Sequence, residues 1–364
     1  MVKVLKYIIV VGILFIFIVV VYLNLTKTNQ VKVKNPVTVQ VDNSTTPKTQ
    51  TKFVKPTVEL NLKDIFEKDI QKNKNTIVIA ATGDYIPARS VNYLSVRDNN
   101  YTWTVQKTAR LFKNADIVLV NLETPLIKNC PLTNEGFVFC GSLEHIKALK
   151  MINASVVNLA NNHSHNYGEN GIKQTTDLLD KNNIKYSGIY GENNIVEVKG
   201  KKIAFLGYNE IGANPYPVKG ANNDLIVSDV KKAKQVADIV VVSFSWGVEY
   251  TTNITDAQKR LAKLAIDSGA DLIIGNHPHQ VQPIQIYNNK LITYAHGNYV
   301  FDQMWSENTK KGIIGYYAFE QNNLVDADFT PIYIQKYGES TIAPPKMSKG
   351  IMQSFEDVSY KLKQ

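Results

Sequence analysis

Asp84, Glu123, Asn162, His163, His277 and His279 are the residues of this chain whose types and positions could do chemistry together. Each stands directly behind a short apolar run: Asp84 after "TIVIAATG", Glu123 after "ADIVLVNL", Asn162 and His163 after "ASVVNLAN", and His277 with His279 after "ADLIIGN". Carboxylate, amide oxygen and imidazole are donors that suit a borderline divalent cation such as Zn²⁺, Mn²⁺ or Fe²⁺. A carboxylate shared by two ions lets each lower the pKa of a common water, giving hydroxide near neutral pH. Neutral imidazoles add ligands without cancelling the charge that activates that water. On this reading Asn162 is a metal ligand and His163 a proton donor beside it. Taken singly, each fragment has a plainer meaning, since His-x-His is often a satisfied turn pair and an Asp after Gly a turn residue. Their repeated position behind apolar runs is what joins them.

Those runs read as buried strands, at residues 76–84, 115–124, 154–163, 202–210, 237–247, 270–279 and 290–298. Helical spacing falls between them, at 141–152, 168–182, 228–237 and 256–268. Strand–helix alternation predicts an α/β domain with its sheet covered by helices, and no internal repeat of fixed period is present. In open α/β sheets ligands gather at the carboxyl ends of the strands, where these polar clusters fall. Alternation alone does not distinguish one doubly wound sheet from two packed sheets.

The first residues have another character. Tyr7 to Leu25 is uncharged and apolar over a length that spans a bilayer. No small-residue cleavage site follows, and the run exceeds a signal-peptide core, so it reads as an uncleaved anchor. Lysines flank it on both sides, which leaves its orientation undecided by charge. The only cysteines, Cys130 and Cys140, are spaced for a small loop-closing disulfide, which implies an oxidising compartment. With the anchor, this places the main domain outside the cytoplasm. The net charge of +9 is uneven: residues 1–75 carry 12 lysines against 5 acidic residues, leaving 29 basic against 27 acidic for the rest. A near-balanced folded part argues against nucleic-acid binding. Residues 26–57, rich in Thr, Lys, Val, Asn and Pro, read as a solvated stalk, and Leu62, Ile65, Phe66 and Ile70 mark a short helix within 58–75. The domains expected are an anchor at 1–25, a stalk at 26–75, the main domain at 76–345 and a tail at 346–364.

Six stretches in order, "TGDYIPAR", "NLETPL", "NLANNHSHNYGENGI", "WGVEY", "GADLIIGNHPHQVQP" and "GNYVFDQ", resemble the motifs of the capsule synthesis protein CapA family across Thr76–Gln303. That family is associated with poly-γ-glutamate synthesis or export and is related to the calcineurin-like metallophosphoesterases. The resemblance implies a layered αββα sandwich of the metallophosphoesterase type, here preceded by an N-terminal transmembrane helix. It implies one or two divalent ions (Mn, Fe or Zn), with Asp84 as first ligand and Glu123 as bridging carboxylate. Asn162 then corresponds to the amide ligand, His163 to the catalytic histidine, and His277 and His279 to the final ligand pair. Arg89, Glu249 and Asp302 occupy motif positions; Arg89 reads either as a catalytic-site anchor for an anionic substrate group or as part of a salt bridge near the cleft.

The chain also departs from the family. Ile86 stands where metallophosphoesterases place a histidine, an absence also usual in the CapA family, while Ser245 stands where the family commonly has histidine and Asn166 where it has aspartate. A hydroxyl is a poor ligand for these metals, which points to one weak or empty metal position. His296, at a strand end, is a candidate to replace the missing imidazole; its alternative is a backbone hydrogen bond that caps the strand. His165 is expected in solvent. Two functions follow: a metal-dependent hydrolase acting on an anionic surface polymer, or a non-catalytic polymer-binding subunit that works with other membrane subunits.

Overall fold

The structure, a computed structural model, describes residues 59–362 apart from 69, 71 and 193. The apolar run 7–25 and residues 26–58 lie outside the described residues. Among the described residues no helix is long and apolar enough to cross a membrane.

The chain begins with helix α1 (Leu62–Glu67), strand β1 (Ile77–Tyr85), α2 (Ser90–Arg97), β2 (Ile117–Leu122) and the short strands β3 (Leu126–Ile127) and β4 (Gly141–Ser142). It continues through α3 (Ile146–Met151), β5 (Val156–Asn158), α4 (Gly168–Lys181), β6 (Lys185–Ser187), β7 (Ile195–Val198) and β8 (Lys201–Asn209). Next come α5 (Asn223–Val236), β9 (Ile239–Ser245), α6 (Asp256–Ser268), β10 (Leu272–Asn276), β11 (Val281–Tyr287), β12 (Lys290–His296) and β13 (Asn298–Val300). The last elements are β14 (Lys311–Glu320), β15 (Asn323–Gln335), β16 (Glu339–Ile342) and α7 (Pro345–Lys361).

Each apolar run named from the sequence contains a strand. Helix α5 starts five residues before the expected 228 because the Asn222 side chain caps it, accepting from the Leu225 N–H at 3.1 Å. The β14–β15 hairpin was not legible as apolar runs, since β15 alternates buried and half-exposed residues. Its turn, Gln321–Asn322, has both residues at positive φ, the twist a tight hairpin needs.

Two sheets form. The first runs β16-β15-β14-β1-β2-β5-β6, with β13 also paired to β1; the second runs β11-β12-β10-β9-β8-β7. The first sheet is parallel from β1 through β2 and β5 to its edge β6 and antiparallel on the β14–β16 side, whereas the second is parallel at its centre and antiparallel at both edges. Side-chain parity then sets the layers. Ile79, Ala81, Ile117, Leu119 and Val156 of the first sheet meet Phe205, Val241, Leu272 and Ile274 of the second in one core. Their alternates Ala80, Val118, Val120 and Val157 pack outward against Leu149 of α3 and Ile172 and Leu179 of α4. Likewise Leu206, Val240 and Ile273 pack against Ile226 and Val230 of α5 and Leu261 and Ala265 of α6. The architecture is therefore a layered pair of sheets flanked by helices.

The folded part exceeds residues 76–345 at both ends. Residues 346–361, expected as a tail, belong to α7, whose Ile351 and Phe355 enter the inter-sheet core. Leu60, Leu62 and Ile65, expected in the stalk, join the same core, and Phe66 meets Phe355 edge to face at 5.4 Å. Both helices cover apolar surface at the side of the sandwich that the other helices leave open.

Candidate metal centre

At the carboxyl ends of the strands the inter-sheet layer turns from apolar to polar without a change of parity. Asn121 follows Leu119, Asn158 follows Val156, Ser245 follows Val241 and Asn276 follows Ile274, each at an even spacing that keeps it on the inner face. In the first sheet Asn298, Asp84, Asn121 and Asn158 are aligned partners across β13, β1, β2 and β5. In the second, Asn209, Ser245 and Asn276 are aligned across β8, β9 and β10. The sheets come close here, because a Cβ on Gly207 of β8 would lie 2.1 Å from Asn158 Oδ1. Gly83 is equally constrained: its Cβ would lie 1.9 Å from the Gly297 carbonyl oxygen, where β13 crosses β1.

The first wall is a hydrogen-bonded chain. Asn158 Nδ2 donates to Asn121 Oδ1 at 2.9 Å, and Asn121 Nδ2 donates to Asp84 Oδ1 at 2.8 Å and Glu123 Oε2 at 3.1 Å. His279 Nδ1 lies 2.9 Å from both Asp84 Oδ2 and Asn298 Oδ1; facing two acceptors, it carries the proton. The His277 N–H reaches Asp84 Oδ1 at 3.3 Å. Asp84, Glu123, His277 and His279 are thus brought together as the sequence expected. His277 and His279 adopt φ of 95° and 55°, strained values for non-glycine residues that aim both imidazoles at the seam.

Burial works against a charged Asp84, but the bonds from His279 and Asn121 outweigh it and hold this carboxyl below its ordinary value. Glu123 is pushed well above its ordinary value by burial and then by the charge of Asp84. Two carboxylates this close repel one another when both are charged, and a cation beside them would relieve that repulsion. Burial lowers His277 to about 4, so its ring is neutral at pH 7, the form a metal binds.

Glu123 Oε1, Asn162 Oδ1, Ser245 Oγ, Asn276 Oδ1 and His277 Nδ1 are buried and have no hydrogen-bond partner within the protein. Among the described residues no three His, Cys, Asp or Glu side chains form an ion-holding group by themselves. The unsatisfied atoms are mostly amide and hydroxyl oxygens, and together with Asp84 and Glu123 their chemistry fits a divalent cation.

The run Asn161-Asn162-His163 divides its labour. Asn161 builds the turn: its Oδ1 accepts from the His163 and Ser164 N–H groups at 3.2 and 2.9 Å, and its Nδ2 donates to the Leu122 carbonyl. Asn162 is left to present its oxygen. His163 is held from two sides. Asn166 Oδ1 accepts from His163 Nδ1 at 2.9 Å and from the Phe139 N–H at 2.7 Å, while the Phe139 ring stacks on the imidazole at 4.0 Å. A proton fixed on Nδ1 leaves Nε2 for exchange. Burial lowers the pKa of His163, and the Asn166 bond partly offsets this.

Phe139 adjoins Cys140, and the Cys130–Cys140 disulfide is formed, closing the loop that flanks His163. The same loop meets Arg89, whose guanidinium pairs with Asp302, donates to the Gly136 carbonyl at 3.2 Å and lies between the Phe139 and Phe301 rings at 5.0 and 4.8 Å. The salt-bridge alternative describes its setting, and the residue braces the disulfide loop against the Asp302 segment.

Two expectations are corrected. His296 does not replace a ligand: its Nδ1 donates to the Thr82 carbonyl at 3.2 Å and its Nε2 accepts from Tyr317 Oη at 2.7 Å, so both nitrogens are committed. It bridges the sheets instead. His165 is half-buried rather than solvated, in the turn that leads to α4. Sequence reasoning missed Asn121, Asn158, Asn276, Asn298 and Phe139. The signal for the strand-end amides was present, as an asparagine closing run after run in "VNLE", "VNLA" and "GNHP".

The chain belongs to the bacterial capsule synthesis protein PGA_cap family, whose model matches residues 78–303. It is 34% identical over 252 residues to the PGA biosynthesis protein CapA of Bacillus subtilis, covering 65% of each chain. It is 32% identical over 287 residues to the capsule biosynthesis protein CapA of Bacillus anthracis, covering 73% of this chain and 69% of that one. Among solved structures it is similar to a phosphatase of Mycoplasma pneumoniae, with a TM-score of 0.48 and 14% identity, covering 76% of this chain and 97% of the other.

Proposed function

We propose that the protein is a membrane-tethered, extracytoplasmic hydrolase that uses one or two divalent ions, Mn, Fe or Zn, to cut bonds in an anionic surface polymer such as poly-γ-glutamate. The observation that carries this reading is the set of buried polar atoms without partners at the strand ends, Glu123 Oε1 and His277 Nδ1 among them, with the His277 backbone N–H bonded to Asp84. An ion bound there supplies a Lewis acid and an activated water. Asp84, Glu123, Asn162, His277 and His279 would hold it. His163, fixed by Asn166 and Phe139, moves a proton at Nε2 toward the leaving group. Arg89 acts as the brace of this wall, with the disulfide loop at the substrate's edge. Residues 7–25 are the tether, and other membrane subunits of a polymer-synthesis assembly are the expected partners.

Asn166 favours a second reading, a polymer-binding subunit without turnover, because an amide stabilises an imidazolium less than a carboxylate does. The full-length chain in detergent, loaded with Mn²⁺, should cleave a chromogenic phosphate ester or shorten a γ-glutamyl polymer, and Glu123→Gln should abolish both. Bound metal with neither activity would establish the second reading.

A further inference from the structure

We propose that Ser245 and Asn276 are donors to a divalent cation, and that the position they serve is an oxygen-rich one that retains Mn²⁺ but not Zn²⁺. The inference rests on the metal-dependent reading above.

The two residues occupy one rung of the second sheet, Asn276 paired with Ser245 in register, and both face the inner layer. They are 2% and 0% exposed, and neither Asn276 Oδ1 nor Ser245 Oγ has a partner within the protein. A buried polar group left unmatched is costly, so two on one rung call for a partner the chain does not supply. The side chains cannot turn away. The Trp246 N–H donates to the Asn276 carbonyl at 3.2 Å, and the Trp246 ring stacks on Phe244 at 4.4 Å while its Nε1 donates to the Tyr294 carbonyl. That packing fixes the outer face and, by parity, commits Ser245 and Asn276 to the inner one. The next residue, His277, donates its N–H to Asp84 Oδ1, which ties the rung to the carboxylates of the first wall.

Asn276 Oδ1 only accepts and Ser245 Oγ has lone pairs to give, so both can serve a cation as oxygen donors. With His277 Nδ1 the donors are one nitrogen among oxygens of amide, hydroxyl and carboxylate, the chemistry of a hard ion of high coordination number. Zn²⁺ takes few ligands and prefers nitrogen or sulfur.

The test counts ions on the full-length chain, by elemental analysis after dialysis, with Mn²⁺ followed by electron paramagnetic resonance. Wild type should keep two Mn²⁺ but one Zn²⁺. Asn276→Ala should lower Mn²⁺ from two to one, Asn276→Asp should restore it, and Ser245→His should raise Zn²⁺ to two. Two Zn²⁺ on wild type, or two Mn²⁺ on Asn276→Ala, overturns the inference and leaves the metal-dependent reading standing. No retained ion of either kind, with Glu123→Gln behaving as wild type, overturns both.

Discussion

The two walls of the seam use the same kind of residue and end in opposite states. On the first sheet, the amides of Asn158 and Asn121 are spent on one another and on Asp84 and Glu123. On the second, Ser245 and Asn276 sit at equivalent strand ends with their side-chain oxygens unmatched. The difference separates scaffold from site. The bonded amides of Asn121 and Asn158 fix where the carboxylates stand, while the unmatched atoms, Glu123 Oε1 on the first side and Ser245 and Asn276 on the second, are left to be completed from outside.

The sharpest way to break this contrast is at Asp84, which joins both walls through His277 and His279. Asp84→Ala should cost about 3–5 kcal/mol, since removing one partner strands a buried polar network, and metal retention should vanish. Chemical denaturation checks the first part, and an unchanged midpoint would show that the first wall is not held by this carboxylate.

Next in size is the loop that flanks His163. Replacing Cys130 and Cys140 by serine should lower stability by about 2–3 kcal/mol on chain-entropy grounds. It should also weaken the Phe139 stack, measurable as broadened His163 ring signals by nuclear magnetic resonance. Sharp, unshifted signals would make the disulfide irrelevant to the setting of His163.

The bridge between the sheets gives a pH test. Burial lowers His296 to about 4 from an ordinary 6.5, so the folded protein binds fewer protons there than the unfolded chain. Its contribution to stability is complete above 6.5 and is lost as pH falls toward 4, amounting to about 2 kcal/mol between pH 7 and 5. Thermal melts across that range should show the slope in wild type and a shallower one in His296→Gln. Equal slopes would count against the bridge.

The smallest effect sharpens the first wall. Asn166→Asp puts a carboxylate against His163 Nδ1 and should raise that imidazole's pKa with little change in melting temperature. A titration followed by nuclear magnetic resonance reads it, and no upward shift would mean that Asn166 does not set the state of His163.

Much of this molecule was legible in its sequence. Asp84, Glu123, Asn162 and the two terminal histidines could be named because parallel strands read as unbroken apolar runs, and whatever follows such a run lies at the ligand-binding edge. The disulfide followed from two cysteines and nothing else. The helices at the two ends of the fold were harder, since an amphipathic stretch beside a polar stalk does not reveal what it will cover. Only the tertiary structure decided between one sheet and two, because strand–helix alternation is the same for both and the choice lies in which faces meet. It also decided the fate of each polar side chain. Asn121, Asn276 and His296 look alike in sequence, each a polar residue closing an apolar strand. One became scaffold, one was left unsatisfied and one became a bridge, because hydrogen-bond partners across a sandwich come from strands far apart in the chain.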